Sequence, residues 1–202
     1  MKYLILLSLA VISFSSCKDK DDEIIEPVVT LTNQEKSDLQ FLREEEKLAR
    51  DVYLHSHTTY NQQIFSNISS SEQRHMDEVL TLLNTYGIAD PISNNEPGIF
   101  ENQELQNLYN ELTKISDSSV VHAYTIGATI EDLDIHDISK FESNTDNPTI
   151  LSVYQKLACG SRNHMRAFHK SLTTEGASYT AQYITPSDLE EILNGEHENC
   201  GQ

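Results

Sequence analysis

The sequence predicts an all-α fold, a bundle of four long helices with one long crossover connection, on three observations. Glycine and proline are scarce, 7 and 5 in 202 residues, so the chain lacks the turn density of a many-stranded sandwich or barrel. Apolar residues recur at three-and-four spacing through four long stretches. Those stretches fall as two, a connection of about thirty residues, then two more, the plan of a bundle with a single long crossover. The length suits one hydrophobic core with tails rather than two full domains.

The first sixteen residues, MKYLILLSLAVISFSS, place a Lys before an apolar run and a small-residue stretch, the three-part layout of an export signal that is removed on maturation. The apolar run, about ten residues, is too short to span a membrane. Cys17 follows at once, and SFSSC resembles the lipobox of bacterial lipoproteins. That resemblance implies an acylated Cys17 anchoring the chain in the cell envelope; an ordinary export signal with a chance Cys is the competing reading. The stretch from 17 to 32 is charged, contains proline and has no period, which reads as a flexible acidic tether. The envelope face, periplasmic or external, is left open.

The bundle occupies 33–172. Thr32 to Glu35 form a capping box before helix A, about 33–58, with Leu39, Leu42, Glu46, Ala49 and Tyr53 on one face. Helix B, about 61–86, carries Ile64, Phe65, Ile68, Glu72, His75, Met76, Val79 and Leu82, and Gly87 is placed to end it. A second capping box at Ser69 to Glu72 competes for its start, but would strip Ile64, Phe65 and Ile68 of their shared face. The loop from Ile88 to Phe100 leads to a short helix near 102–115. Helix C, about 118–141, follows SDSS, and helix D, about 149–172, follows Pro148. The tail, 173–202, has one short helical signal, Ser187 to Leu193, opened by Ser187 and Glu190.

Charge and cysteine usage narrow the function. With 32 acidic against 14 basic residues, a formal −18, binding to nucleic acid or anionic lipid surfaces is electrostatically disfavoured. With Cys17 assigned to lipid, Cys159 and Cys200 remain. In an oxidising compartment a disulfide between them and two separate thiols are both open readings, and neither Cys sits at metal-ligand spacing.

The apolar stripes of all four long helices are interrupted by Glu46 on A, Glu72 and His75 on B, Glu131 and Asp134 on C, and His164 on D. At ~1.5 Å per residue these six fall within about two turns of one bundle layer. Buried carboxylates are costly unless paired or metal-bound, so the layer calls for cations. Glu72 and His75, three apart on one helix, can ligate one ion or flank two. Four carboxylates with two imidazoles suit iron or manganese better than zinc, which usually takes fewer oxygens. A metal-free network, with Arg43, Arg50, Arg162 and Arg166 pairing the acids, is the competing reading. Glu45 lies beside the stripe too, and period alone does not say which of Glu45 and Glu46 points inward. Tyr53, Tyr124 and Tyr154 are candidates to bond ligands or relay electrons, or ordinary core residues. Met76 and Met165 read as core filler, and His169 as a candidate behind the ligands.

EKLARDVY from Glu46 to Tyr53, the ExxH in SEQRH and the paired acids of EDLD resemble the ferritin-like superfamily, rubrerythrins in particular. Within it, LREEEKLARDVY, SEQRHMDEVLTLLNTYG and SRNHMRAFHKSL, spanning about 35–172, closely resemble the family called domain of unknown function 2202. The resemblance favours Glu46 over Glu45 and implies a dinuclear iron or manganese centre acting on peroxide or oxygen. It also exposes a departure: the fourth helix reads SRNH where ExxH is expected, so Ser161 stands in place of a Glu and Asp134 becomes the candidate substitute. With three Cys the chain cannot build the four-cysteine iron domain that rubrerythrins carry, so an electron donor is an expected but unspecified partner, and self-association is open. The alternative function is a noncatalytic envelope bundle that binds metal or another protein.

Overall fold

The computed structural model describes residues 30–201; the expected export signal, Cys17 and most of the stretch read as a tether lie outside them. Six α-helices and no strand occur among the described residues: α1 (Asn33–Tyr60), α2 (Gln63–Thr85), α3 (Gln103–Ser116), α4 (Val120–Glu142), α5 (Pro148–Thr174) and α6 (Pro186–Asn194). None of these helices is long and apolar enough to cross a membrane. The four long ones are α1, α2, α4 and α5. Helix α1 packs chiefly on α2, and α4 on α5, while α3 bridges α1 and α4 from the crossover and α6 lies on α5.

Local chemistry sets the ends. Thr32 and Glu35 form the reciprocal capping box of α1, and Asn61, in the left-handed region at φ 51°, closes it. Only Asn61 and Gln62 separate α1 from α2, which forces the two to run antiparallel. Helix α2 continues through its serine run because Ser69 and Ser70 hydroxyls bond back to the Ser66 carbonyl instead of competing for a turn. Asn102, Ser119 and Asn147 cap α3, α4 and α5. In the tail the capping box is Thr185 with Asp188, two residues before the expected Ser187 pair, because Pro186 fits the first helical position and leaves Thr185 as the cap. Leu31, read from sequence as tether, is buried against the bundle end.

Helix α1 is sealed on every side along 42–53, with Lys47 and Asp51 both fully buried. The charged run REEEKLARD accounts for this, since the crossover loop is fastened to it. Lys47 Nζ bonds Asp51 at 2.5 Å and the Glu96 carbonyl at 2.9 Å and sits over the Phe100 ring. Asp51 also accepts the Gly98 amide, and Glu44 accepts those of Glu101 and Asn102. Arg43 holds Asp90 and the Met76 carbonyl, while Arg50 reaches Asp51, Gln73 and Asn95.

The apolar interior forms two clusters. One gathers Leu48, Val52, Phe65, Ile68, Ala128, Met165 and Phe168; the other gathers Leu39, Leu42, Val79, Leu82, Ile138, Ile150 and Leu157. Along each long helix the polar positions fall between the residues of one cluster and those of the other. A charged layer thus divides the core.

Candidate metal centre

Each long helix supplies this layer from the positions between its two apolar stretches: Glu46 from α1, Glu72 and His75 from α2, Glu131 from α4 and His164 from α5. All five are buried. Their ligand atoms form two groups that share one residue, Glu46–Glu72–His75 and Glu72–Glu131–His164, with the atoms of each group within 4.8 Å of one another. His75 Nδ1 lies 3.1 Å from Glu46 Oε2 and 2.9 Å from Glu72 Oε2. His164 Nδ1 lies 2.9 Å from Glu72 Oε1 and 3.4 Å from Glu131 Oε2. Glu72 therefore turns one oxygen to each group.

His75 Nδ1 is hydrogen-bonded to Glu46 Oε2, but other atoms of the layer approach without bonding. Glu72 Oε1 and His164 Nδ1 are close but lack hydrogen-bond alignment, and Glu46 Oε1 also has no partner. Side chains that converge on a common point instead of on each other are what a bound cation requires, and buried polar groups otherwise find partners. Two glycines and a tyrosine shape the layer. Gly160 leaves room for the His75 ring, whose Nε2 would lie 2.6 Å from a Cβ there, and Gly127 does the same for Phe168. The Tyr53 hydroxyl donates to Glu131 Oε1 at 2.6 Å and so aims that carboxylate.

Electrostatics follow from burial without basic side chains. Every Arg named in the competing ion-pair reading is engaged elsewhere: Arg43 and Arg50 by the crossover, Arg162 and Arg166 by Glu198. Among the described residues, only imidazoles offset the acids. Burial raises Glu46 to about 7 against the pull of His75, whereas the two histidines hold Glu72 well below the carboxylate range despite its burial. Burial alone would depress His164, yet Glu72 and Glu131 push it up to about 10. Burial and the Glu131 charge raise the Tyr53 phenol.

Asp134 joins neither group. It accepts the Ser161 hydroxyl through Oδ2, so the serine in place of the expected glutamate and the aspartate proposed to replace it are bonded to each other. Asp134 Oδ1 has no partner. Glu45 is buried as fully as Glu46 but turns toward α4, which is why period could not separate them. Tyr124 stacks on Phe65 and Tyr154 lies against Phe141, both away from the layer, and His169 lies at a surface cavity with Tyr179. Cys159 and Cys200 are joined by a disulfide.

A helical bundle carrying three glutamates and two histidines in overlapping groups is a candidate binder of two metal ions. The chain belongs to the family described as Uncharacterized protein domain (DUF2202), matched over residues 35–196, a span that takes in α6 as well as the bundle. It is 48% identical over 172 residues to Uncharacterized protein MJ0754 of Methanocaldococcus jannaschii, covering 85% of this chain and 93% of that protein. The crystal structure of hypothetical protein MJ0754 from Methanococcus jannaschii DSM 2661 is similar with a TM-score of 0.83, covering 84% of this chain and 97% of that one.

Proposed function

We propose that this chain is an exported, lipid-anchored protein of ferritin-like type that holds a dinuclear iron or manganese centre and uses it to reduce peroxide or oxygen. The observation that carries the reading is Glu72, buried and turned through one oxygen to each of two carboxylate–imidazole groups that no Lys or Arg among the described residues neutralises. Carboxylate oxygens with imidazole nitrogens fit divalent iron or manganese. Glu46, Glu72 and His75 would hold one ion, and Glu72, Glu131 and His164 the other. When bound there, two such ions would supply the two electrons that reduction of a peroxide to two waters takes, the two protons coming from solvent.

The chain's own residues supply position and access. Tyr53 fixes Glu131, and Gly160 admits the His75 ring. His164, at 9% the most exposed of the five, borders a cavity of about 510 Å³ between α2, α5 and the C-terminal tail, through which a small reactant reaches the layer. The bond between Ser161 and Asp134 favours a second reading, in which three carboxylates suffice for storage or structural metal without turnover.

Metal analysis of the mature protein tests the centre. Two equivalents of iron or manganese in the wild type, with both lost in Glu72→Ala, are expected; Glu72→Ala with unchanged metal would overturn the reading. Oxidation of the loaded, reduced protein by peroxide separates catalysis from storage.

A further inference from the structure

Beyond α6 the run GEHENCG, residues 195–201, returns to α5, where Cys200 is bonded to Cys159. It brings no side chain to either apolar cluster. Polar and covalent links fix it instead. Asn163 grips the main chain of Glu198, Nδ2 donating to its carbonyl at 3.0 Å and Oδ1 accepting its amide at 2.9 Å, and the same Nδ2 donates to Cys200 Sγ at 3.3 Å. Arg162 and Arg166 take the Glu198 carboxylate.

This segment is one wall of the cavity of about 510 Å³ that leads to His164, with Ile68 and Arg74 of α2 on its lining as well. Of the five residues in the two ligand groups, only His164 lines that cavity. The other four are at most 2% exposed, so with the wall in place only species of a few atoms pass the His164 ring. Two anchors of the wall also adjoin the charged layer in sequence: Asn163 precedes His164, and Cys159 precedes Gly160, which makes room for the His75 ring.

A segment that buries no apolar surface stays closed only through its links. The Arg162–Glu198 pair is weak for that purpose, since each side chain is 31% exposed. The disulfide, by contrast, holds until a reductant breaks it. We propose that residues 197–200 are a redox-latched selectivity wall: with the Cys159–Cys200 bond intact they restrict the layer to reactants the size of peroxide or oxygen, and with it reduced they swing off α5 and admit chelators and metal complexes. A dithiol opens the latch, becoming a disulfide as the Cys159–Cys200 bond takes up two electrons and two protons and leaves two thiols. Metal loading then precedes disulfide formation, and oxidation locks in the ion. The control of metal exchange rests on the proposed metal centre; the movement of the wall does not.

The test follows two readouts in the full-length mature chain. The first, in metal-free protein, is deuterium exchange at the imidazole C2 position, read by mass spectrometry for the oxidised wild type, the wild type in dithiothreitol, and Cys159→Ser/Cys200→Ser. Exchange at His164 should quicken about tenfold or more in both opened forms while His75, which does not line the cavity, is unchanged. Equal acceleration of both histidines reports loosened folding and overturns the wall, as does an unchanged His164. The second is the rate at which EDTA strips Mn²⁺ from the loaded protein, expected to rise about tenfold or more in the double-serine variant at an equal starting metal count. Faster His164 exchange with unchanged Mn²⁺ loss supports the wall and overturns its control of metal. A wild type that binds no Mn²⁺ overturns the metal centre, and His164 exchange still decides the wall.

Discussion

Gly160 has no side chain because the His75 ring occupies the space one would need, with Nε2 2.6 Å from where a Cβ would sit. The ring cannot yield, since Glu46 and Glu72 hold its other nitrogen. Gly160→Ala should therefore cost about 1–3 kcal/mol in denaturant unfolding and weaken metal binding as well. Tyr53→Phe keeps the ring but leaves a buried Glu131 oxygen without its donor; a loss of about 1–3 kcal/mol is expected in the metal-free protein, and a smaller loss once metal satisfies that oxygen. Comparing melts with and without manganese checks both. At this scale the sequence exposed the chemistry but not the direction of each side chain. Glu45 and Glu46 are adjacent and equally buried, and their helix is enclosed on all sides, so no polar face remained to say which points where.

The enclosure of α1 belongs to the scale of elements. Its charged run reads as a solvated face because its partners lie about 45 to 57 residues further on, in a loop with no period to reveal them. Asp51 is the hub, receiving Lys47, Arg50 and the Gly98 amide. Removing one partner of a buried pair strands the other, so Asp51→Ala should cost about 3–5 kcal/mol, and limited proteolysis should then cut the 88–102 loop first. The helices themselves were legible to within one to three residues at most ends, since long apolar periods and Asn, Ser and Thr caps are local signals. The tail's capping box was displaced by two residues because two such patterns overlap at Thr185 and Ser187, and Pro186 decides between them.

For the whole molecule, the C-terminal tail is a strap across α5. Glu198 takes Arg162 in a two-pronged grip and Arg166 beside it, and the Cys159–Cys200 bond ties the end down. Replacing both cysteines by serine should lower stability by about 2–4 kcal/mol, as closing a loop of 41 residues implies. The hydrogen bonds and charge of Arg162, helped by Arg166, hold the Glu198 carboxyl down to about 2. Its contribution is complete above the ordinary carboxylate range and disappears as pH falls from there toward 2. Reduced protein should accordingly release its tail in that window, visible as new protease sites beyond Asn194. The strap was not legible in the sequence: Cys pairing had two readings, and the Arg–Glu grip spans 36 residues without a motif. The division of the core by an acidic layer has a consequence for how the molecule comes apart. Chelation would leave buried acids and imidazoles, with unsatisfied oxygens among them, between two dry halves, so opening should begin at the waist instead of fraying from the tips. Amide exchange after metal removal should quicken first near Glu46, Glu72 and Glu131, ahead of either end of the bundle.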